Sequence, residues 1–245
     1  MDSGYYAATA GLIARTQALD TIANNLANAS TTGFRASHNV FRSMLANADG
    51  AKLSVVNQDA NDYGVLGGAE LDTTQGALIE TGNDLDLAME GPGYFEVQTS
   101  SGTAYTRGGS FRVSTAGQLV TAAGDPVVGD NGPISIVGQP VSISDDGTIT
   151  INGAIAGHLK QVEFPSGTQI ESAGKGYFVA PAGASVPATQ SSVRQGKLES
   201  SNVNPLNNVI ELISAQREFE TMRRALTMFS SEMDKTAVTE LPHVG

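Results

Sequence analysis

Two seven-residue apolar repeats, one near each end of the chain, constrain the fold more than any other feature. Tyr5, Ala8, Leu12, Leu19, Ile22, Leu26 and Ala29 fall on the a and d places of a heptad, with Arg15 as the one polar intrusion. No proline interrupts residues 3–29. The spacing predicts one helix of roughly 40 Å, at about 1.5 Å per residue. Leu212, Ala215, Phe219, Met222, Leu226, Phe229 and Met233 repeat the pattern over a second predicted helix at 204–237. Asn204 suits its cap, Pro205 its first turn, and Pro242 lies beyond it. Such stripes fit a mutual helix pair, or two amphipathic helices packed separately on a globular core. Periodicity alone does not choose between these.

Between the helices the pattern changes. Turn signals recur at Gly91-Pro92-Gly93, Ser101-Gly102, Gly108-Gly109, Ala116-Gly117, Asp130–Pro133, Asp145–Gly147, Asn152-Gly153 and Ser166-Gly167. Short strand-like runs separate them, among them Tyr94–Gln98, Ser110–Ser114, Pro133–Val137, Thr148–Ile151 and Tyr177–Ala180. This predicts an all-β domain over about 75–198. Its expected core includes Tyr94, Phe95, Phe111, Val113, Ile134, Ile136 and Phe178. Residues 36–74 read as an extended connecting region, in which Asn47–Gly68 is rich in Asn, Asp, Gly and Ala. The fold class is therefore α+β: residues 1–35 and 199–245 supply the terminal helices, and an all-β domain lies between them.

Composition removes several functions. Hydrophobic content of 40% excludes a disordered chain, and the absence of cysteine excludes disulfides, thiol catalysis and thiolate metal sites. The net charge of −11 is concentrated in residues 47–199, which carry −10, against +1 for 1–46 and −2 for 200–245. The acidic middle repels phosphates, so no nucleic-acid partner is expected, and near-neutral ends can pack against copies of themselves. No run of about 18 apolar residues is present, so no membrane insertion is expected. No signal-peptide pattern opens the sequence, which by itself reads as cytoplasmic.

Candidate chemistry is thin. His38, His158 and His243 are far apart, and none has the spacing of a metal pair. Asp145-Asp146-Gly147 lacks the remaining ligands of a calcium loop and reads as a hairpin turn. Asp84, Asp86 and Glu90 form one candidate carboxylate cluster for a glycosidase, but the chain has no tryptophan and only 6% aromatics to hold a sugar. Alternation along Asp84–Leu87 predicts a plain strand with a wet face. No enzyme activity, cofactor, metal or small-molecule substrate is expected. Asn24, Asn25 and Asn28 crowd the end of the first helix, where each asparagine costs up to roughly 0.7 kcal/mol relative to alanine. Amides bonding across to neighbouring helices would account for them, as would simple fraying of the helix end.

The run Ala23-Asn24-Asn25-Leu26-Ala27-Asn28-Ala29-Ser30-Thr31-Thr32-Gly33-Phe34-Arg35 resembles the N-terminal signature of the bacterial flagellar rod and hook family. Three further blocks resemble the same family in the same order. They are Asn83–Ala88 running into Gly91–Phe95, Tyr105-Thr106-Arg107 with Gly109-Ser110-Phe111, and Gly196–Pro205 followed by Gln216-Arg217 and Phe219-Glu220. Length and the run Pro126–Gly129 to Gly132–Ile134 look like the proximal rod type, with the distal rod type a close second and hook protein a longer, poorer match. The resemblance implies a coiled-coil inner domain of terminal helices, with the β domain outside it. It implies a structural subunit that assembles with copies of itself and other rod subunits into a hollow, torque-transmitting shaft in the periplasmic space. It also implies passage through the flagellar export apparatus without a cleaved signal peptide, which replaces the cytoplasmic reading. The assembly surface expected from the heptads and the signature comprises Leu12, Leu19, Asn24, Asn25, Leu26, Asn28, Leu212, Phe219, Met222, Leu226, Phe229 and Met233.

Overall fold

A computed structural model describes residues 2–42, 65–138 and 140–240. The heptad ends form helices α1, Asp2–Ala27, and α2, Pro205–Glu240. Pro205 opens α2 because a first-turn residue needs no N–H partner, and its fixed φ already suits a helix. Thr31, Thr32 and Gly33 follow the end of α1, where Thr31 N–H caps back onto the Asn28 carbonyl at 3.0 Å. Two strands, β1 (Ser37–Arg42) and β2 (Val65–Leu71), pair with each other. Ser37–Arg42 and Val65–Leu71 are thus extended, and residues 43–64 of the expected connecting region, including Val55-Val56, lie outside the described residues.

The chain gathers into two compact units. A helical unit holds α1, β1, most of β2, and α2, while residues 27–36 and 71–204 form the second. In the helical unit α1 lies against β1 through two side chains one turn apart. Thr21 Oγ1 donates to Asn39 Oδ1 at 3.1 Å, and Asn25 Nδ2 donates to the Ser37 carbonyl at 2.8 Å. One helical turn rises about 5.4 Å and two strand residues span about 6.6 Å, so residues i and i+4 of a helix can meet residues j and j−2 of a strand.

The second unit is built from short antiparallel strands. In chain order they are β3 (Leu78–Glu80), β4 (Leu87–Glu90), β5 (Tyr94–Thr99), β6 (Gly102–Thr106), β7 (Arg112–Val113), β8 (Leu119–Val120), β9 (Val128–Gly129) and β10 (Gly132–Pro133). There follow β11 (Val141–Ile143), β12 (Thr148–Ile151), β13 (Ala154–His158), β14 (Gln161–Glu163), β15 (Glu171–Gly174), β16 (Tyr177–Val179), β17 (Val186–Pro187), β18 (Ser192–Gln195) and β19 (Lys197–Glu199). The largest sheet has the order β15-β16-β6-β5-β14-β17; β11-β12-β13 form another, β4 pairs with β18, and β3 pairs with β19.

Successive side chains on β5 point to opposite faces, which splits the core in two. Phe95 and Val97 face a main cluster with Leu87, Met89, Phe111, Leu119, Ile134, Ile149 and Leu159. Phe95 meets Phe111 edge-to-face at 5.3 Å between ring centroids. Tyr94 faces the other way, into a cluster with Val162 and Phe178, and its ring lies 5.4 Å from Phe164 and 5.6 Å from Phe178. Val113, expected in the core, is 38% exposed on the two-residue strand β7. The Asp84–Leu87 strand is also corrected. Asp86 is buried at a turn, bonded to Thr81 Oγ1 at 2.8 Å and Asn83 Nδ2 at 3.1 Å, and regular pairing with β18 begins at Leu87.

Glu163, at the end of β14, is buried and fastens the loop before β18. Its Oε1 accepts from Ser191 Oγ at 2.7 Å, Gln190 N–H at 2.8 Å and Thr189 N–H at 3.2 Å. Burial pushes its carboxyl upward, but these hydrogen bonds outweigh it, and the net shift is below the ordinary glutamate value. A carboxylate lowered on folding stabilises fully above the unfolded value of about 4.3, and the contribution is lost as pH falls through the folded value. The stability gap between wild type and Glu163→Gln is therefore expected to be widest above about pH 5 and to close under acid. Urea melts across pH check this, and a gap that widens in acid would reverse the sign.

Candidate functional site

The helical unit brings the two heptad stripes into one neighbourhood. Arg15, the polar intrusion in the first stripe, meets Glu218 of α2 at 2.8 Å. Ala14, Ala18 and Asn25 of α1 and Ala215 of α2 are buried, and Ala18, Ile22, Asn25 and Ala215 line a groove of about 350 Å³ with β1. The expected heptad leucines Leu12, Leu19 and Leu26 are only half-buried, as are Leu212, Phe219, Met222 and Leu226. Asn24 is exposed and Asn28 half-buried, its side chain accepting from Thr31 Oγ1 at 3.2 Å. The Phe229 and Met233 side chains lie outside the described residues.

Asn25 departs from the expectation of an amide reaching a neighbouring helix. Both its polar atoms serve strand β1: Nδ2 donates to the Ser37 carbonyl at 2.8 Å, and Oδ1 accepts from Ser37 N–H at 3.0 Å. The side chain thus stands in for the edge of a neighbouring strand. Asn25→Ala removes two hydrogen bonds and strands two backbone groups, which is expected to cost about 2 kcal/mol. Thermal melting of the purified chain checks this, and an unchanged melting temperature would contradict it.

A second α2 face carries apolar residues into solvent. Leu206, Val209 and Ile213 follow the i, i+3, i+7 spacing and are 70%, 38% and 45% exposed, and Ile210, 56% exposed, also lines the groove.

The second unit contains a group of residues that sequence reasoning missed. Arg35, Arg107 and Glu199 are 1%, 1% and 0% exposed. Glu199 Oε1 lies 2.6 Å from Arg35 Nη1, and Oε2 accepts from Arg107 Nε at 2.9 Å. Gly76 N–H donates to Oε1 at 2.9 Å, and Gly33 N–H donates to the Glu199 backbone carbonyl at 2.8 Å. Two guanidiniums against one carboxylate leave an excess positive charge, which carbonyl oxygens solvate. Arg107 Nη1 donates to the Gly91 carbonyl at 2.7 Å and to that of Gly93, and Arg35 Nη1 donates to Thr74 at 2.5 Å. Burial lowers the Arg107 pKa, with the Glu199 carboxylate opposing that shift. Arg107 also sits 5.5 Å from the centroid of the Tyr94 ring, and burial pushes the Tyr94 phenol upward. A cation over an aromatic face is attracted by the ring quadrupole.

Glycine permits the close approach around this node. Gly33 has a φ of +68°, and a Cβ there would sit on the backbone of Arg107 and Gly108. The signal available in the sequence was the placing of all three charges inside the blocks that carry the resemblance.

The carboxylates weighed for catalysis are spent on structure. Asp86 is bonded to Thr81 and Asn83, and Glu90 accepts from Arg194 Nε at 2.6 Å. Asp145 meets the same guanidinium at 2.6 Å. His158 Nδ1 lies 3.2 Å from Asp130. Among the described residues no group of three or more potential ligands could hold a metal, and no helix is long and apolar enough to cross a membrane.

Three family models match the chain, and together they define an axial protein of the flagellum. Residues 6–35 match the flagella basal body rod protein, 88–151 the flagellar hook protein FlgE/F/G D1 domain, and 194–239 the flagellar basal body rod FlgEFG protein C-terminal region. Arg35 falls in the first, Arg107 in the second and Glu199 in the third, so the buried node joins all three. The chain is 33% identical over 245 residues to the flagellar basal-body rod protein FlgF of Mesorhizobium japonicum, covering 98% of each chain. It is 32% identical to FlgF of Caulobacter vibrioides, again over 98% of each, and 33% identical to FlgG of Bacillus subtilis, over 85% of this chain and 88% of that one. The chain belongs to the FlgF/FlgG family of flagellar basal-body rod proteins, whose members are structural proteins and not enzymes.

Proposed function

We propose that this chain is a structural subunit of the bacterial flagellar basal-body rod, polymerising into the hollow shaft that transmits torque and passes exported subunits. The observation that carries the reading is the second apolar face of α2. A helix that meets α1 around the buried Ala215, with Leu206, Val209 and Ile213 still in solvent, has surface for a further partner. A neighbour seated there makes a heterologous contact, and such contacts propagate into helical filaments when they do not close into a ring.

Within this reading the terminal helices pair as a coiled-coil inner domain, 36–74 connects, and 75–198 is the outer β domain. The proximal, FlgF-type position is favoured by the near-complete alignment with FlgF relatives, beside 85% coverage by the Bacillus FlgG. Export through the flagellar apparatus without a cleaved signal peptide places the rod in the periplasmic space. The assembly surface is assigned to Leu12, Leu19, Asn24, Leu26, Asn28, Leu212, Phe219, Met222, Leu226, Phe229 and Met233, with Asn25 supporting it from the side of β1.

Swimming of complemented null cells, with secretion of each variant measured separately, tests the reading. Leu26→Asp and Ile213→Asp are expected to abolish swimming while the β unit stays folded, because a buried, unpaired carboxylate costs several kcal/mol and recurs in every subunit. Asp145→Ala and His158→Ala are expected to swim normally, since each loses only a partly exposed contact, Asp145 with Arg194 and His158 with Asp130. Normal swimming by both aspartate variants would remove the helices from the working surface.

A further inference from the structure

We infer that residues 28–36 form a clasp that closes onto a completed β body, and that its closure makes a folded chain competent to assemble; the second clause rests on the rod-subunit reading above. The clasp is separate from the body in its apolar contacts. The main core cluster draws its buried members from Leu87 to Val193. Phe34 and Ala36 join instead a small cluster with Val203 and the partly buried Ala29.

Its polar attachments go to the two ends of the continuous stretch 71–204. Gly33 N–H donates to the Glu199 carbonyl at 2.8 Å, Asn202 N–H to the Phe34 carbonyl at 3.3 Å, and Asp72 N–H to the Ala36 carbonyl at 2.8 Å. Ala36 N–H donates to Asn202 Oδ1 at 2.7 Å. Asn202 Nδ2 in turn donates to the carbonyls of Asp72 and Thr74, at 3.1 Å each. The closed clasp therefore holds the segment that follows α1 beside the segment that precedes α2.

The seat for Arg35 exists only in a finished body. Glu199 is set by Gly76 N–H and by Arg107, and Arg107 is set by the carbonyls of Gly91 and Gly93 at the β4–β5 turn. Burying a guanidinium without its carboxylate is costly, so Arg35 docks only where these separate parts have already met. Clasp closure thus reports the folding of the β body to the junctions of both helices. The clasp also contributes the surplus charge. Without Arg35 the body keeps a balanced Arg107–Glu199 pair, whereas Arg35 Nε has no acceptor even when docked. The body is therefore expected to hold its structure with the clasp open.

The experiment uses the full-length chain and two clasp variants. Gly33→Ala places a Cβ against the backbone of Arg107 and Gly108, at a φ that alanine rarely adopts. Arg35→Met removes the charge and keeps the apolar stem. Amide hydrogen exchange is expected to accelerate at least tenfold at residues 33, 36, 72 and 202 in both variants, with the β5–β6 ladder unchanged. Both variants should be secreted normally, yet enter rods at least tenfold less than wild type in cells lacking their own copy. If Gly33→Ala leaves the clasp closed, Arg35→Met decides. The inference is overturned if exchange accelerates equally across the β5–β6 ladder, if neither variant opens the clasp, or if an open clasp still permits rods. Failure of the wild-type chain to restore rods would instead defeat the rod reading itself.

Discussion

Glu199→Ala is expected to lower the unfolding free energy by about 3–5 kcal/mol, the range for removing one partner from a buried ion pair. The reason is charge balance at the node. The wild-type carboxylate faces Arg35 at 2.6 Å and Arg107 at 2.9 Å, and all three side chains are almost wholly out of solvent. Without it, two guanidiniums share a pocket with only carbonyl oxygens and the Tyr94 side chain to receive them. Arg35→Met is expected to cost less, because the remaining pair is neutral and keeps the Gly76 N–H. Urea denaturation of both variants, with the slope compared as well as the midpoint, checks the order. A Glu199→Ala loss below about 1 kcal/mol would mean that the node has little energetic weight, as is usual only for exposed pairs.

Phe95→Ala should be comparably damaging, at about 3–5 kcal/mol, from lost transfer energy and the cavity left behind. Phe95 is fully buried, sits on β5 inside the six-stranded sheet, and closes edge-to-face on Phe111. Val113→Ala supplies the contrast. It changes an exposed residue on a two-residue strand, so a shift within about 0.5 kcal/mol is expected. Near-ultraviolet circular dichroism during thermal melting separates the two. Equal losses would place Val113 back among the core residues.

The parts of the fold legible in the sequence are those set by local rules. The heptads gave α1 and α2 because 3.6-residue periodicity survives even where the fully buried residues are Ala14 and Ala18 beside the half-buried Leu19. Turn glycines and apolar runs gave β5, β12 and β16 for the same reason. Asp86 failed because alternation says which side a strand residue takes only once a strand exists, and here a turn precedes it. Asn25 failed because its partner, Ser37, sits on a strand that no helical rule reveals.

Arg35, Arg107 and Glu199 were invisible for a stronger reason. Charged residues are rarely buried, and pairing Arg107 with Glu199 spans 92 positions. Only the resemblance blocks marked these residues, and they did so without giving a role. The apolar periodicity of both helices was legible. The further exposed apolar residues of α2, Leu206 to Ile213, escaped because a heptad count follows one seam at a time.

The placing of Tyr94 and Tyr177 gives the molecule an optical handle. The chain has no tryptophan, so tyrosines dominate its near-ultraviolet absorption. Tyr177 is buried, shares a 2.6 Å hydrogen bond with Thr121, donates to Asp125 at 2.8 Å, and has its phenol pushed up to about 12 by burial. Tyr94 is raised as well, chiefly by burial beside the Arg107 node. In an alkaline titration followed by phenolate absorbance, these two rings ionise late while the β unit is intact. Loosening of the sheet around Tyr177, or of the node around Tyr94, moves their share of the signal to lower pH, so the state of the interior can be followed without any added label.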